Sequence, residues 1–250
     1  MLVHVTGQPN ARLVNVVKSY GETLALDHVN LDLHSGEVLG LIGPNGSGKT
    51  TLTNILCGSL KPDSGEIWVD GRQVCFESPA DAIRVGIRSL PQHLEIYPAM
   101  SVLENIFIGQ EISRGCPFFH MMDWAKMEHI SRSLLERVDA SQIDPRSTVA
   151  KLSGGQQKAV VLARLLATPS KVLVFDEPAA ALGVRQRLRL LDILKAEACA
   201  GRSIVFISHD IEDVLAICTR VVILRRGRAV TDLDRANTNR ESLSSYMALA

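Results

Sequence analysis

The sequence predicts an α/β fold, with a mostly parallel core sheet, a small antiparallel β-subdomain and a helical insert between two sheet-forming halves. Three observations predict it. Short apolar runs bounded by turn residues alternate with helical patterns, as expected of strands wrapped by helices. Several of these runs are apolar throughout rather than alternating, the mark of strands covered on both faces. From Ser101 to Ala167, by contrast, helices and loops are legible but no strand.

Taken in order, Leu13–Tyr20 and Glu66–Asp70 lie beside the turn signals Pro62-Asp63-Ser64-Gly65 and Asp70-Gly71 and read as the antiparallel sheet. The strands of the parallel sheet are Val38–Ile42, Ile87–Leu90, Lys171–Phe175, Ser203–Ile207 and Arg220–Leu224. In the insert, Ser101-Val102-Leu103-Glu104 forms a capping box, where hydroxyl and carboxylate satisfy each other's free amides. Asp123 caps a second helix with the apolar face Trp124, Met127, Ile130, Leu134, Leu135 and Val138. Arg225-Arg226-Gly227-Arg228 reads as a solvated hairpin turn between the last strands.

Composition narrows the function. The 250 residues carry 27 Lys+Arg against 27 Asp+Glu, 46% hydrophobic and 22% charged residues, which excludes a disordered chain. Balanced charge argues against nucleic acid as a partner, since phosphate neutralisation needs a basic surplus. No stretch approaches the roughly 20 apolar residues of a spanning helix, and Met1 to Lys18 shows no signal-peptide apolar core. A soluble chain that meets membranes only through a partner is expected. The cysteines at 57, 75, 116, 199 and 218 are scattered and never spaced C-x-x-C, so neither a zinc site nor a disulfide framework is indicated.

Gly43-Pro44-Asn45-Gly46-Ser47-Gly48-Lys49-Thr50 fits the phosphate-loop pattern G-x-x-x-x-G-K-[ST]. Glycines let consecutive N–H groups turn inward around phosphate oxygens at a helix start, where the dipole is also positive. Lys49 can then reach β- and γ-phosphates, and the Thr50 hydroxyl can ligate Mg²⁺. The context agrees, because an apolar strand precedes the loop and a helical run from Thr51 follows. Val172-Leu173-Val174-Phe175 delivers Asp176 at a strand's C-terminal end, where ligands sit in parallel sheets. Asp176 is placed to hold Mg²⁺ through water, and adjacent Glu177 to act as base.

Leu152-Ser153-Gly154-Gly155-Gln156, about twenty residues before Asp176-Glu177-Pro178, decides among phosphate-loop families. It resembles the signature of ABC-transporter ATPases, and the resemblance spans nearly the whole chain. Gln92 is similar to that family's glutamine loop, His209 to its switch histidine, and Tyr20 to the aromatic residue that stacks on adenine. Each alone is weak; six elements in order and spacing are specific. The resemblance implies an ATP site built from Tyr20, Gly43, Pro44, Asn45, Gly46, Ser47, Gly48, Lys49, Thr50 and Thr51. It implies Mg²⁺ on Thr50, Gln92 and Asp176, with Glu177, His209, Lys49 and Gln92 in catalysis. It also implies that Ser153, Gly154, Gly155 and Gln156 contact the nucleotide held by a second ATPase subunit.

The segment after Glu177-Pro178 departs from the family pattern. Ala179 stands where Thr or Ser is usual, and Ala180-Ala181-Leu182-Gly183 ends in glycine where aspartate is common, which puts coupling between the paired sites in doubt. With Val184-Arg185-Gln186 and the Leu94–Gln110 stretch, it resembles ATP-binding subunits of importers for monosaccharides such as ribose, xylose, galactose or fructose, in their single-domain form. The expectation is one ABC ATPase domain over 1–250, with 1–92 and 168–250 as β-subdomain plus nucleotide-binding core and 93–167 as helical subdomain. It would homodimerise with two shared ATP sites and sit on the cytoplasmic face of the plasma membrane. A polytopic permease would dock between Gln92 and about Gly109, with an extracytoplasmic solute-binding protein as an indirect partner. Two alternatives stay open: an importer of another solute (branched-chain amino acid, nucleoside or autoinducer), and a non-transport ABC ATPase of DNA repair or translation.

Overall fold

The computed structural model describes residues 7–90, 96–114, 121–180 and 182–248. In chain order the first half holds β1 (Ala11–Tyr20), β2 (Thr23–Leu33), β3 (Val38–Ile42), α1 (Lys49–Leu56), β4 (Ser64–Val69), β5 (Arg72–Val74), α2 (Pro79–Arg84) and β6 (Ile87–Leu90). The middle holds α3 (Val102–Phe107), β7 (Ser113–Arg114), β8 (Met121–Met122), α4 (Trp124–Arg137) and α5 (Gly154–Ala167). The last part holds β9 (Val172–Asp176), α6 (Val184–Cys199), β10 (Ser203–Ile207), α7 (Ile211–Ile217), β11 (Arg220–Arg225), β12 (Arg228–Asp234) and α8 (Arg240–Ala248). Among the described residues no helix is long and apolar enough to cross a membrane.

Contacts divide the chain into two units. The first comprises the described residues within Met1–Pro91, Ser170–Ala180 and Leu194–Ala250. It holds a six-stranded sheet in the order β12-β11-β3-β10-β9-β6, parallel except for the β11–β12 hairpin, and an antiparallel sheet in the order β2-β1-β4-β5. Every residue of β3 and β10 is buried, which is why those runs are apolar without alternation. The hairpin turn carries Arg226 and Gly227 at φ 48° and 76°, as a tight two-residue turn requires.

The antiparallel sheet contains two strands not legible in the sequence, β2 and β5. In β2 the buried positions run Leu26, Val29, Leu31, Leu33, so the period of two breaks at Asp27-His28. His28 adopts φ 52° there, and the register against β1 shifts opposite this point. An extra residue at a bulge moves all later side chains to the other face unless it is absorbed this way.

The second unit comprises the described residues within Gln92–Pro169 and Ala181–Ile193. The Ser101–Glu104 capping box forms as expected, with the Glu104 carboxylate accepting from Ser101 N at 2.7 Å. Asp123 caps α4 through Lys126 N at 3.1 Å. Two expectations are corrected. The insert is not free of strands, since β7 and β8 pair as a two-residue ladder too short to leave a periodic signal. Trp124 is 50% exposed, and Ser131 joins Met127, Leu134 and Leu135 on the buried face of α4. A first-turn residue extends past the surface that the rest of the helix covers, so the apolar stripe starts one turn later.

Candidate nucleotide site

The site grows from the C-terminal ends of three adjacent parallel strands, β3, β10 and β9. β3 runs into the phosphate loop, which ends where Gly48, at φ 106°, starts α1. The back of the loop is pinned. A Cβ on Gly43 would stand 2.1 Å from the Leu224 carbonyl oxygen, and one on Gly48 would stand 2.6 Å from that of Ala25. Gly227 N donates to Ser47 O at 3.1 Å, so the β11–β12 turn also buttresses the loop. The front is open, because Asn45 and Gly46 are exposed and a Cβ on Gly46 meets nothing within 4 Å.

Lys49 is 8% exposed, and its ammonium donates to the carbonyls of Gly43 at 2.7 Å and Pro44 at 2.9 Å. Burial lowers its pKa, against the attraction of Asp176 and Glu177. Asp176 shows the reverse: burial and then the Glu177 charge hold its carboxyl above the ordinary carboxylate range, opposed by Lys49, His209 and a hydrogen bond with Thr50. Glu177 turns the chain at φ 50°, and its N–H donates to Ile207 O at 3.0 Å, which fixes the end of β9 to the end of β10. Its Oε1 lies 2.6 Å from His209 Nε2. Sequence reading placed these two residues in one reaction, and the fold puts them in direct contact.

Tyr20, expected to stack on adenine, ends β1 opposite Thr23 and is 53% exposed. Thr51 lies half-buried in the first turn of α1. Gln92, expected as metal ligand and catalytic residue, lies outside the described residues. Ser153, Gly154, Gly155 and Gln156 belong to the second unit. Ser153 Oγ accepts from Gln156 N at 3.3 Å, and Gln156 Oε1 accepts from Ser153 N at 2.9 Å, closing a capping box at the start of α5. Gln156 thus shapes the turn with its side chain. The pattern Ser-x-x-Gln carries that signal in the sequence. The buttress of Leu224, Gly227 and Ala25 has no such signal, because it joins residues far apart in the chain.

The residues fit a nucleoside triphosphate with a divalent cation. The buried Ser47 Oγ has no hydrogen-bond partner and lies beside Gly43 inside the loop. Thr50 and Asp176 form a hard-oxygen pair suited to Mg²⁺. Among the described residues no three His, Cys, Asp or Glu side chains gather to hold a metal. A separate pocket of about 510 Å³ beside β2 and β12 is lined by Asp27, which pairs with His28 at 2.7 Å and accepts from Arg228 Nε at 2.6 Å, and by Asp232, which pairs with Arg220 at 2.7 Å.

A parallel sheet with this loop and acidic strand end defines the class of phosphate-loop nucleotide-binding proteins. The chain belongs to the ABC transporter family, whose model matches residues 26–180. The fructose import ATP-binding protein FrcA of Rhizobium meliloti is 39% identical over 217 residues, covering 85% of this chain and 84% of that protein. The ribose import ATP-binding protein RbsA of Bacillus licheniformis is 39% identical over 219 residues, covering 88% of this chain and 44% of that protein. The chain thus spans about half the length of the ribose-import relatives it matches. Among solved structures, an ATP-binding cassette of an ABC transporter in its ADP conformation superposes with a TM-score of 0.78 at 28% identity, covering 97% of this chain and 96% of that one. A dimeric ATP-binding cassette bound to ADP and Pi superposes with a TM-score of 0.78 at 27% identity, covering 90% and 98%.

Proposed function

We propose that the chain is the ATP-hydrolysing subunit of an importer, energising uptake of a small solute, a monosaccharide, through a separate membrane permease. The observation that carries this reading is the convergence of Lys49, Thr50, Asp176, Glu177 and His209 at the ends of three neighbouring strands, with Glu177 and His209 2.6 Å apart. Phosphoryl transfer to water needs little covalent help; it needs charge neutralised on the phosphates and a water held in line. Lys49 and the loop amides neutralise the β- and γ-phosphates, while the Tyr20 ring stacks on adenine. Thr50, Asp176 and Gln92 would hold Mg²⁺, which when bound would supply positive charge against the phosphates. Glu177 takes the proton of the attacking water, and His209 orients Glu177 and the water.

The open N-terminus of α5 supports a second part of the reading. Ser153, Gly154 and Gly155 lie at a helix start whose amides suit an anion, and the dimeric cassette among the relatives supports pairing of two copies. Two chains then share two ATP sites, each completed by the signature residues of the other. All of 1–250 acts as one such cassette. It binds the permease as a peripheral subunit on the cytoplasmic face, and no nucleic acid is involved. The sugar is recognised by the permease and by an extracytoplasmic binding protein. The names of the fructose- and ribose-import relatives support a monosaccharide as cargo.

Co-purification of tagged protein from its native membranes in gentle detergent tests the reading. A polytopic permease accompanied by a sugar-binding protein is the expected outcome. Recovery only from the soluble fraction, with ribosomal or nucleic-acid partners, would end the transport claim.

A further inference from the structure

Asn105 of α3 is 0% exposed, and each of its side-chain polar atoms is engaged. Its Nδ2 donates to Tyr97 O at 2.9 Å and to Ser101 O at 3.0 Å. Its Oδ1 accepts from Tyr97 N at 3.0 Å and from Arg164 Nη2 at 3.0 Å. Its main-chain oxygen accepts from Arg164 Nε at 2.6 Å. The Arg164 guanidinium also lies over the Tyr97 ring, 5.9 Å from its centroid, within cation–π range.

Arg164 stands in the last turn of α5, the helix whose first turn carries Ser153, Gly154 and Gly155. Gly154 and Arg164 stand ten positions apart, about 15 Å along a stiff rod. Apolar helix contacts tolerate sliding, whereas a planar fork gripping one carbonyl and one amide sets both distance and direction. The network therefore ties Tyr97, the turn leading into α3, and α3 itself to the far end of α5.

We propose that Arg164 is a positioning residue which, through Asn105 and Tyr97, couples the signature end of α5 to the segment 97–110. The inference rests on the functional reading above, in which the first of these ends meets nucleotide and the second meets the permease. In this role Arg164 passes displacement from one end of this unit to the other.

Hydrogen exchange of the whole chain, read by mass spectrometry with and without Mg-ATP in a Glu177→Gln background, tests this. In that parent, nucleotide should slow exchange several-fold both at 153–160 and at 97–110. Arg164→Lys keeps the charge but loses the fork; protection at 153–160 should persist while that at 97–110 falls below about one third of the parent's. Tyr97→Leu keeps the main-chain bonds of Tyr97 and removes only the half-exposed ring, so it should give an intermediate loss at 97–110 even where Arg164→Lys fails to fold. Parent-like protection at 97–110 in Arg164→Lys, or in Tyr97→Leu where Arg164→Lys does not fold, would overturn the proposal. So would loss at both segments in a folded Arg164→Lys protein, which would make Arg164 part of site assembly. If the parent shows no nucleotide protection at 153–160, the shared-site reading itself fails; if it shows protection there and none at 97–110, the coupling alone fails.

Discussion

Lys49→Ala separates a phosphate ligand from a structural strut, because the two roles predict different changes. The ammonium makes two hydrogen bonds to loop carbonyls, at 2.7 and 2.9 Å, which by themselves would brace the loop. Yet burial lowers the Lys49 pKa in spite of Asp176 and Glu177 nearby, so desolvation outweighs the attraction the charge gains on folding. Bonds and desolvation then nearly offset each other, and the nucleotide-free variant should lose no more than about 1 kcal/mol, a Tm change of about 2–4 °C for a chain of this size. Bound phosphate changes the balance. A hydrogen bond between charged groups is worth about 1.5–3 kcal/mol, so loss of the ammonium should weaken Mg-ATP by about 3 kcal/mol, roughly 10²-fold in Kd. Differential scanning fluorimetry without nucleotide and titration calorimetry with ATP measure the two effects on one preparation. Unchanged ATP affinity would remove Lys49 from its assigned role. A Tm drop beyond about 10 °C with no nucleotide present would mean that the side chain braces the fold, contrary to the reasoning from its burial.

Glu177→Gln preserves shape and the contact with His209 while removing the proton acceptor; steady-state turnover should fall at least about 10²-fold with Mg-ATP binding retained, and near-normal turnover would exclude Glu177 as base. Asp176 has a folded pKa raised above its ordinary 3.8, so the folded chain binds that proton more tightly than the unfolded chain and the ionised carboxylate is a penalty at neutral pH, relieved as pH falls through the raised value. Asp176→Asn should therefore raise the Tm of the nucleotide-free protein at pH 8, by an amount that shrinks as pH falls toward 4, while abolishing Mg²⁺-dependent ATP binding; a lower Tm at pH 8 would contradict the assigned burial. Gly183 is exposed and a Cβ there meets nothing within 4 Å, so Gly183→Asp should fold normally. Its hydrolysis curve against ATP concentration should steepen if an aspartate restores coupling between paired sites, and an unchanged Hill coefficient would empty that account of the position.

Much of the site was legible because its chemistry is contiguous. A phosphate loop works through the amides of consecutive residues, so Gly43 to Thr50 carry the proposed phosphate site in their order, and the apolar run ending in Asp176 announces a buried strand with a carboxylate at its tip. The signature turn is equally local, with Ser153 and Gln156 three residues apart. What escaped reading broke a period or crossed a long separation. β2 carries its buried residues on one face only because a bulge at His28 absorbs one residue, and a strict alternation test stops there. Trp124 looked like core by composition, but as the first residue of α4 it stays half-exposed.

The sequence by itself determined the class of chemistry, the order along the chain of the parallel strands β3, β6, β9, β10 and β11, and which side chains could meet a phosphate or a metal. Only the tertiary structure decided that Glu177 and His209 touch, that Leu224, Gly227 and Ala25 wall the back of the phosphate loop, and that Arg164 grips Asn105. The physical reason is the range of each interaction. Helix caps and the inner bonds of the phosphate loop are closed by neighbours within about six residues, which a linear pattern records. Strand order and side-chain networks are chosen by the burial of whole faces, which no local pattern records.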